Sequence, residues 1–557
     1  MSPVVTGLTP QLRDAAFRWI ADDPDQEDRA ELQRVLASAM AGAGGALAAQ
    51  AQLAERMAGP LRFGTAGLRG VVRAGPNGMN SAVVRRTTAG LATWLEANGH
   101  AGGVVVVGRD ARHRSDRFTD DVAGVLTAAG FDVRVLPGPL PTPVLAFAVR
   151  RLDAVAGVQI TASHNPPADN GYKVYLDAGA QIVPPADAAI EAAIAQVGPA
   201  VSIPTAAGWT VLGADLVESY VDTTAALPRG VARGLRVAAT PMHGVGGATL
   251  RAVLERAGFT DVHEVAAQLA PDPDFPTVAF PNPEEPGAVD LLLELATGVD
   301  ADLAVALDPD ADRCALGVRG PDGWRMLRGD ETGALLGNHI LSTVDAVAHP
   351  DPLVATTIVS SSLLGAIAKA HGARYDETLT GFKWIVRAGD GRGTGLVFGY
   401  EEALGLCVDP DVVRDKDGMS AAVLACDLAA TAKAAGRTLL DELDTLAVEH
   451  GLHVTEPVTV RLTEPGATAM ARVRANLPST VDGQAVVTEE LLPRTDGVRL
   501  VGDGMRVVVR PSGTEPKLKA YLEVVEPVAD LAALPAARER ATARIAALRT
   551  AVAELLG

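Results

Sequence analysis

The chain has 557 residues, 48% of them apolar, 21% charged and only 4% aromatic. At roughly 150 residues per domain, that length predicts about three to four domains with cores of ample size. Gly (57) and Pro (36) stay well below the ~25–30% share of low-complexity chains, which excludes disorder and fibrous folds. Against 49 Lys and Arg stand 68 Asp and Glu, a formal net charge of −19. Such a chain repels nucleic-acid phosphates and anionic lipid, so any phosphate it binds must be held in a local basic pocket.

Three cysteines (Cys314, Cys407, Cys426) with no CxxC pair cannot form a disulfide framework, and the ten histidines show no zinc spacing. Met1 to Ala21 lacks a basic segment followed by an apolar one, so no secretory signal is visible. Val35 to Ala54 carries no charge but is mostly Ala, Gly and Gln, which gain little from lipid. The expectation is a cytoplasmic protein with no membrane and no nucleic-acid partner.

Residues 1–58 read as a helical lead-in, followed by α/β texture. Val104–Val107 is a strand ending in Gly108-Arg109-Asp110, with a helix over Ser115–Ala129. Val133–Leu136 is a strand, Thr142–Arg151 a helix, and Val155–Ile160 a strand running into Thr161-Ala162-Ser163-His164-Asn165-Pro166. The cadence restarts at Leu235–Thr240, with Gly244–Gly247 opening a helix to Ala257, and Leu303–Leu307 feeds Asp308-Pro309-Asp310-Ala311-Asp312-Arg313. A third round has a strand over Leu353–Val359, a helix to His371, and a strand over Leu396–Phe398 reaching Gly399-Tyr400-Glu401-Glu402. After about Val454 the pattern becomes Thr/Val-rich strands, then Met505–Val509, the loop Arg510-Pro511-Ser512-Gly513-Thr514-Glu515-Pro516-Lys517, another strand and a final helix. Continuous apolar strands alternating with helices predict three α/β domains with mixed sheets plus a smaller C-terminal α+β domain. The division expected is 1–58, 59–225, 226–328, 329–455 and 456–557.

Each polar cluster follows the carboxyl end of a strand, where ligand sites of open α/β sheets collect. Asp308, Asp310 and Asp312 can turn three carboxylates to one point, where only a cation relieves their repulsion. An all-oxygen set without a longer cage suits Mg²⁺ completed by a phosphate oxygen. A solvated acidic loop or the opening of a Ca²⁺ loop are the alternatives, the latter weakened because no Gly stands sixth and no Glu twelfth. Ser163 on its turn reads as a nucleophile or as ordinary turn chemistry, and His164 as a base or a hydrogen-bonded structural histidine. Arg510, Ser512, Gly513 and Thr514 could cradle a dianion or form a plain hairpin loop. Phe63–Gly70, which carries Arg69, is a Gly-rich loop but no P-loop. Glu401 and Glu402 could accept sugar hydroxyls, or Glu402 could cap a helix. Lys173 and Lys383 are candidates for phosphate or acid/base work.

In this order, one per expected domain, these clusters resemble the α-D-phosphohexomutase family of phosphoglucomutases, phosphomannomutases and related phosphopentomutases, over residues 58 to 557. The resemblance implies four domains around a central cleft. It implies a Ser163 that carries the transferable phosphoryl group and contributes an oxygen to one Mg²⁺ with Asp308, Asp310 and Asp312. It places Arg313 beside that serine, Glu401 on ring hydroxyls, and Arg510, Ser512, Gly513 and Thr514 on the non-reacting phosphate, with Lys517 and Lys383 on the substrate side. Arg69 and Lys173 fall near the reacting oxygens, and Lys173 is the better candidate for general acid/base. The implied activity interconverts hexose 1- and 6-phosphates (glucose and/or mannose), with a sugar 1,6-bisphosphate as intermediate and activator. Ala403, where many hexose-specific relatives have Ser, removes one sugar contact, so phosphopentomutase or sugar-bisphosphate synthase activity is the alternative and a metal-dependent phosphatase the third. Sugar phosphates are the expected partners, for a monomer or dimer.

Overall fold

The computed structural model describes residues 8–41, 45–63, 67–176, 178–462, 466–481, 483–512 and 517–556. Three helices, Pro10–Asp22, Gln26–Met40 and Ala46–Arg56, form the lead-in. Thr9 and Asp25 cap the first two by accepting backbone N–H groups of their first turns. Leu32, Leu36 and Leu53 build a small core that includes Ala74. The lead-in is tied to the first α/β unit by charge as well. Arg86 pairs with Asp22, Arg117 with Asp25 and Arg114 with Asp28. Buried Arg56 donates to the Ala74 carbonyl at 3.1 Å and pairs with Glu31 at 2.7 Å.

The first sheet is mixed. The strands Val104–Arg109, Asp132–Pro139 and Ala156–Ile160 run parallel, while Asp169–Leu176 and Leu68–Val71 close one edge antiparallel. Val105, Val106 and Val107 are fully buried because helices cover both faces of the sheet, each contributing about 1.5–3 kcal/mol. The second sheet orders Gly323–Met326, Cys314–Gly320, Leu303–Leu307, Arg236–Thr240 and Asp261–Glu264. The third orders Arg374–Thr378, Leu353–Thr357, Leu396–Glu401 and Gly405–Cys407. The fourth unit is an antiparallel sheet, Leu452–Arg461, Lys517–Glu526, Met505–Pro511, Val498–Gly502 and Val487–Glu490, backed by the helix Leu534–Leu556. Three α/β units with mixed sheets and a smaller C-terminal α+β unit are therefore present, as the residue pattern implies.

The third α/β unit departs locally from expectation. The strand expected to reach Val359 ends at Thr357, because Thr357 and Ser360 turn the chain with a hydroxyl–hydroxyl bond of 2.9 Å. The strand expected to stop at Phe398 runs through Glu401, held by pairing with Gly405–Cys407. Among the described residues no helix is long and apolar enough to cross a membrane; the uncharged stretch Val35–Ala54 falls on two short helices.

The fourth unit docks on the third through buried charges. Glu523 accepts from Ser361 Oγ at 2.7 Å and Ser362 N at 2.8 Å, and pairs with His453 at 3.0 Å and Arg506 at 3.0 Å. Glu377 receives Arg499 at 2.8 Å and Arg506 at 2.9 Å.

Candidate active site

Ser163 follows the buried strand Ala156–Ile160 and sits in the left-handed region, φ +53°, a conformation that costs a non-glycine residue roughly 1–2 kcal/mol. Two groups hold it there. Its N–H donates to Thr161 Oγ1 at 2.9 Å. The guanidinium of Arg112 donates to the carbonyls of Ser163 (2.7 Å), Asn165 (2.5 Å), Pro166 (2.8 Å) and Asp169 (3.0 Å). Arg112 is itself fixed by Asp110, 3.4 Å away, and lies over the Phe275 ring. Sequence reasoning missed Arg112; a second arginine two residues beyond the buried strand end Gly108-Arg109-Asp110 was the available signal.

Ser163 Oγ donates to Asp308 Oδ2 at 2.9 Å and lies 3.2 Å from His164 Nδ1. Burial, then the cations of Arg313 and Arg69, hold the His164 imidazole well below its usual range, so it is neutral. Asp308, Asp310 and Asp312 are buried, and they offer oxygens that all lie within 4.8 Å of one another. Ala311, at φ +55°, makes the turn that brings them together. Gly244 allows the close approach of this loop, since a Cβ there would stand 2.4 Å from the Pro309 carbonyl.

Lys173, from the strand Asp169–Leu176, donates to Asp310 Oδ2 at 2.7 Å and Asp312 Oδ2 at 2.9 Å. Lys416 approaches Asp312 at 3.3 Å and Asp415 at 3.4 Å. Burial alone would raise the Asp312 carboxyl, but the ammonium groups of Lys173 and Lys416, then Arg313, hold it far below the carboxylate range. Asp308, lacking such direct partners, is pushed well up by burial and its two acidic neighbours. Lys416 too was missed from the sequence; it sits in Asp415-Lys416-Asp417-Gly418, whose Asp417 caps the helix Gly418–Ala434. The cluster suits a hard divalent cation: the donors are all oxygen, and Asp310 Oδ1 and Asp312 Oδ1 are buried without a hydrogen-bond partner.

Arg69 bonds Asn165 Oδ1 at 3.1 Å from the strand Leu68–Val71. Arg313 bridges to Gly405 through its backbone, and the carboxylate of Glu401, with Asp312, outweighs burial to raise its guanidinium. Glu402 accepts from Thr357 Oγ1 (3.2 Å) and Ser360 Oγ (3.1 Å) rather than capping a helix. Burial and the neighbouring Glu401 push it up to about 7. Gly329 lies under this turn, where a Cβ would stand 2.0 Å from the Glu402 carbonyl oxygen. Lys383 is set apart, with Asp187 and Arg387 as its charged neighbours.

Arg510 stands one residue before the end of the strand Met505–Pro511, and the Ser512 N–H donates to the Lys517 carbonyl at 2.8 Å across the loop. Gly513 and Thr514, expected in the phosphate loop, lie outside the described residues. A cavity of about 550 Å³ opens between the second, third and fourth units, lined among others by Glu284, Glu402, Lys519 and Tyr521.

Four family models match in chain order: phosphoglucomutase/phosphomannomutase alpha/beta/alpha domain I at residues 60–200, domain II at 218–321, domain III at 328–446, and the C-terminal domain at 458–541. The chain is 41% identical over 459 residues to a Haemophilus influenzae protein named "Probable phosphomannomutase", covering 80% of this chain and 93% of that protein. It is 33% identical over 530 residues to the phosphopentomutase of Homo sapiens, covering 84% and 85%. A solved phosphoglucomutase/phosphomannomutase family protein of Burkholderia thailandensis shares the fold with a TM-score of 0.67 at 22% identity, over 86% of this chain and 96% of that one. With all four domain models matched in sequence, the chain belongs to the phosphoglucomutase/phosphomannomutase family of phosphosugar mutases.

Proposed function

We propose that the chain interconverts hexose 1-phosphate and hexose 6-phosphate, glucose and/or mannose, through a phosphorylated Ser163 and a sugar 1,6-bisphosphate. The single observation that carries this is Ser163 Oγ bonded to Asp308 Oδ2 in a buried three-aspartate cluster that also holds Lys173. Phosphoryl transfer asks for in-line positioning and charge neutralisation more than for covalent chemistry, and this arrangement offers both.

In the first half-reaction the P–O bond to Ser163 Oγ breaks as a P–O bond to the free sugar hydroxyl forms. The hydroxyl loses a proton and Oγ gains one; Lys173 Nζ is assigned to carry it, with His164 Nδ1, 3.2 Å from Oγ, also in reach. The bisphosphate then turns end for end and the same bonds are made in reverse. Asp308, Asp310, Asp312 and a phosphoserine oxygen would hold one Mg²⁺, which when bound neutralises charge on the transferring group. Glu401 grips ring hydroxyls in either orientation, and Arg69 and Arg313 orient the reacting end. Arg510 and Ser512, with Gly513, Thr514 and Lys517, hold the other phosphate, and Lys383 joins the substrate side. The domain divisions 1–58, 59–225, 226–328, 329–455 and 456–557 are part of this reading. So is a cytoplasmic setting, supported by three buried free thiols.

A pentose substrate is the second reading, favoured by relatives named phosphopentomutase that match most of the chain at 33% identity. A phosphorus NMR time course decides. Glucose 1-phosphate, mannose 1-phosphate and ribose 1-phosphate share one tube with enzyme, Mg²⁺ and a trace of glucose 1,6-bisphosphate. A hexose 6-phosphate accumulating first, without inorganic phosphate, is the expected result. Ribose 5-phosphate first would install the pentose reading, and inorganic phosphate at a matching rate would replace both by a phosphatase.

A further inference from the structure

The loop Phe280-Pro281-Asn282-Pro283-Glu284-Glu285-Pro286 enters the cleft from the second α/β unit. Its root is fixed: Asn282 is buried, its Oδ1 accepts the Glu284 N–H at 3.2 Å, and its carbonyl accepts the Glu285 N–H at 3.0 Å. The Phe280 ring lies 6.5 Å from the His164 ring, so the loop borders the Ser163 turn. The Glu284 carboxylate has no hydrogen bond or ion pair among the described residues, and the residue lines the cavity shared with Glu402, Lys519 and Tyr521. Its charged neighbours are Arg313, Glu401 and Lys519 from three units, and Glu285 beside it in the loop.

The Glu284 side chain is exposed at the cavity wall, so the carboxylate is free to accept from a molecule bound there. It does not take a phosphate, which carries like charge and would be repelled at contact distance. The phosphates go to the cations, which leaves sugar hydroxyls as the donors. Glu401, from the third unit, is a charged neighbour of Glu284, so a sugar ring gripped by Glu401 lies within reach of the second carboxylate. A carboxylate accepts from any hydroxyl that reaches it, so this reading survives the end-for-end turn. A hexopyranose esterified at its first and sixth carbons keeps three ring hydroxyls, enough for a vicinal pair on Glu401 and a third on Glu284. A ribofuranose phosphate keeps two, which one carboxylate exhausts.

We propose that Glu284 is a sugar-hydroxyl acceptor that selects hexose over pentose phosphates, an inference resting on the mutase reading above. The test measures kcat/KM for glucose 1-phosphate, and the KI of ribose 1-phosphate as a competitor, in wild type, Glu284→Gln and Glu284→Ala, with melting temperatures alongside. Loss of a hydrogen bond to a charged acceptor predicts a fall in kcat/KM of about 10- to 100-fold in Glu284→Ala, a smaller fall in Glu284→Gln, and a KI within about threefold of wild type. An unchanged kcat/KM would overturn the contact. A KI that weakens in parallel with kcat/KM would overturn the selectivity. Wild-type enzyme inert toward glucose 1-phosphate would instead refute the mutase reading itself, before any variant is compared.

Discussion

Arg112 organises the nucleophile turn without touching the reacting atoms, and its removal has a calculable cost. Replacing it by alanine withdraws a buried guanidinium from four carbonyls, at 2.5 to 3.0 Å, and leaves Asp110, 1% exposed, without its cation. Breaking a buried pair from one side costs about 3–5 kcal/mol, and the four charge-assisted bonds overlap with that figure rather than adding to it. At about 2–4 °C per kcal/mol for a unit of this size, Arg112→Ala should melt roughly 10 °C below wild type. Arg112→Lys keeps the charge but cannot span four carbonyls with one ammonium, so it should recover much of the stability and little of the chemistry. Misplacement of Ser163 by about 1 Å predicts transfer from glucose 1,6-bisphosphate to Ser163 slowed on the order of 100-fold. Calorimetry and single-turnover phosphorylation read the two effects separately. Wild-type transfer in Arg112→Lys, or an Arg112→Ala melting point within about 1 °C of wild type, would refute the positioning role.

Glu523, held at about 2 rather than its ordinary 4.5 against burial, by His453 and Arg506, gives the pH dependence. Because the folded value is the lower one, its contribution is full above about pH 4.5 and is lost as pH falls toward about 2. That contribution is about 3 kcal/mol. The stability gap between wild type and Glu523→Gln in urea titrations should close over that window; a gap constant with pH contradicts it. Mg²⁺ at about 100 times its Kd should raise wild-type stability by about 2.7 kcal/mol, and Asp310→Asn should lose most of that gain in a thermal-shift titration. An equal gain in both would remove Asp310 from the metal set. Gly329→Ala drives a methyl to within 2.0 Å of the Glu402 carbonyl, costing about 1–3 kcal/mol. It should displace the sugar loop, so KM for hexose phosphate rises; unchanged KM and melting point would contradict the close contact.

What the sequence made legible was whatever period and position encode locally. The helix Thr142–Arg151 and the strand Leu303–Leu307 appear at their expected bounds, because buried parallel strands are continuous apolar runs bounded by turn residues. Ser163 and the three aspartates were legible too, as polar clusters at strand ends. Partnership across units was not. That Lys173 would meet Asp310 and Asp312, that Lys416 would join them, and that Glu523 would lock the fourth unit onto Ser361 are contacts between residues far apart in the chain. No local spacing encodes them. Arg112 was missed for a related reason: all its hydrogen bonds go to backbone carbonyls, which leave no complementary residue type to find, and its carboxylate partner Asp110 is a near neighbour that marks no distant contact. The lead-in shows the same limit, since its helical periodicity was readable but its clamp on Ala74 through Arg56 and Glu31 was not.

The most direct test is to follow one phosphoryl group. Wild-type enzyme treated with glucose 1,6-bisphosphate radiolabelled in both phosphates should retain one label per chain, mapped to Ser163 by peptide mass spectrometry. Unlabelled glucose 1-phosphate added next should remove that label as sugar bisphosphate, and Ser163→Ala should take up none while remaining folded. Label on another residue, or label released from Ser163 as inorganic phosphate, would contradict a mutase cycle built on that serine.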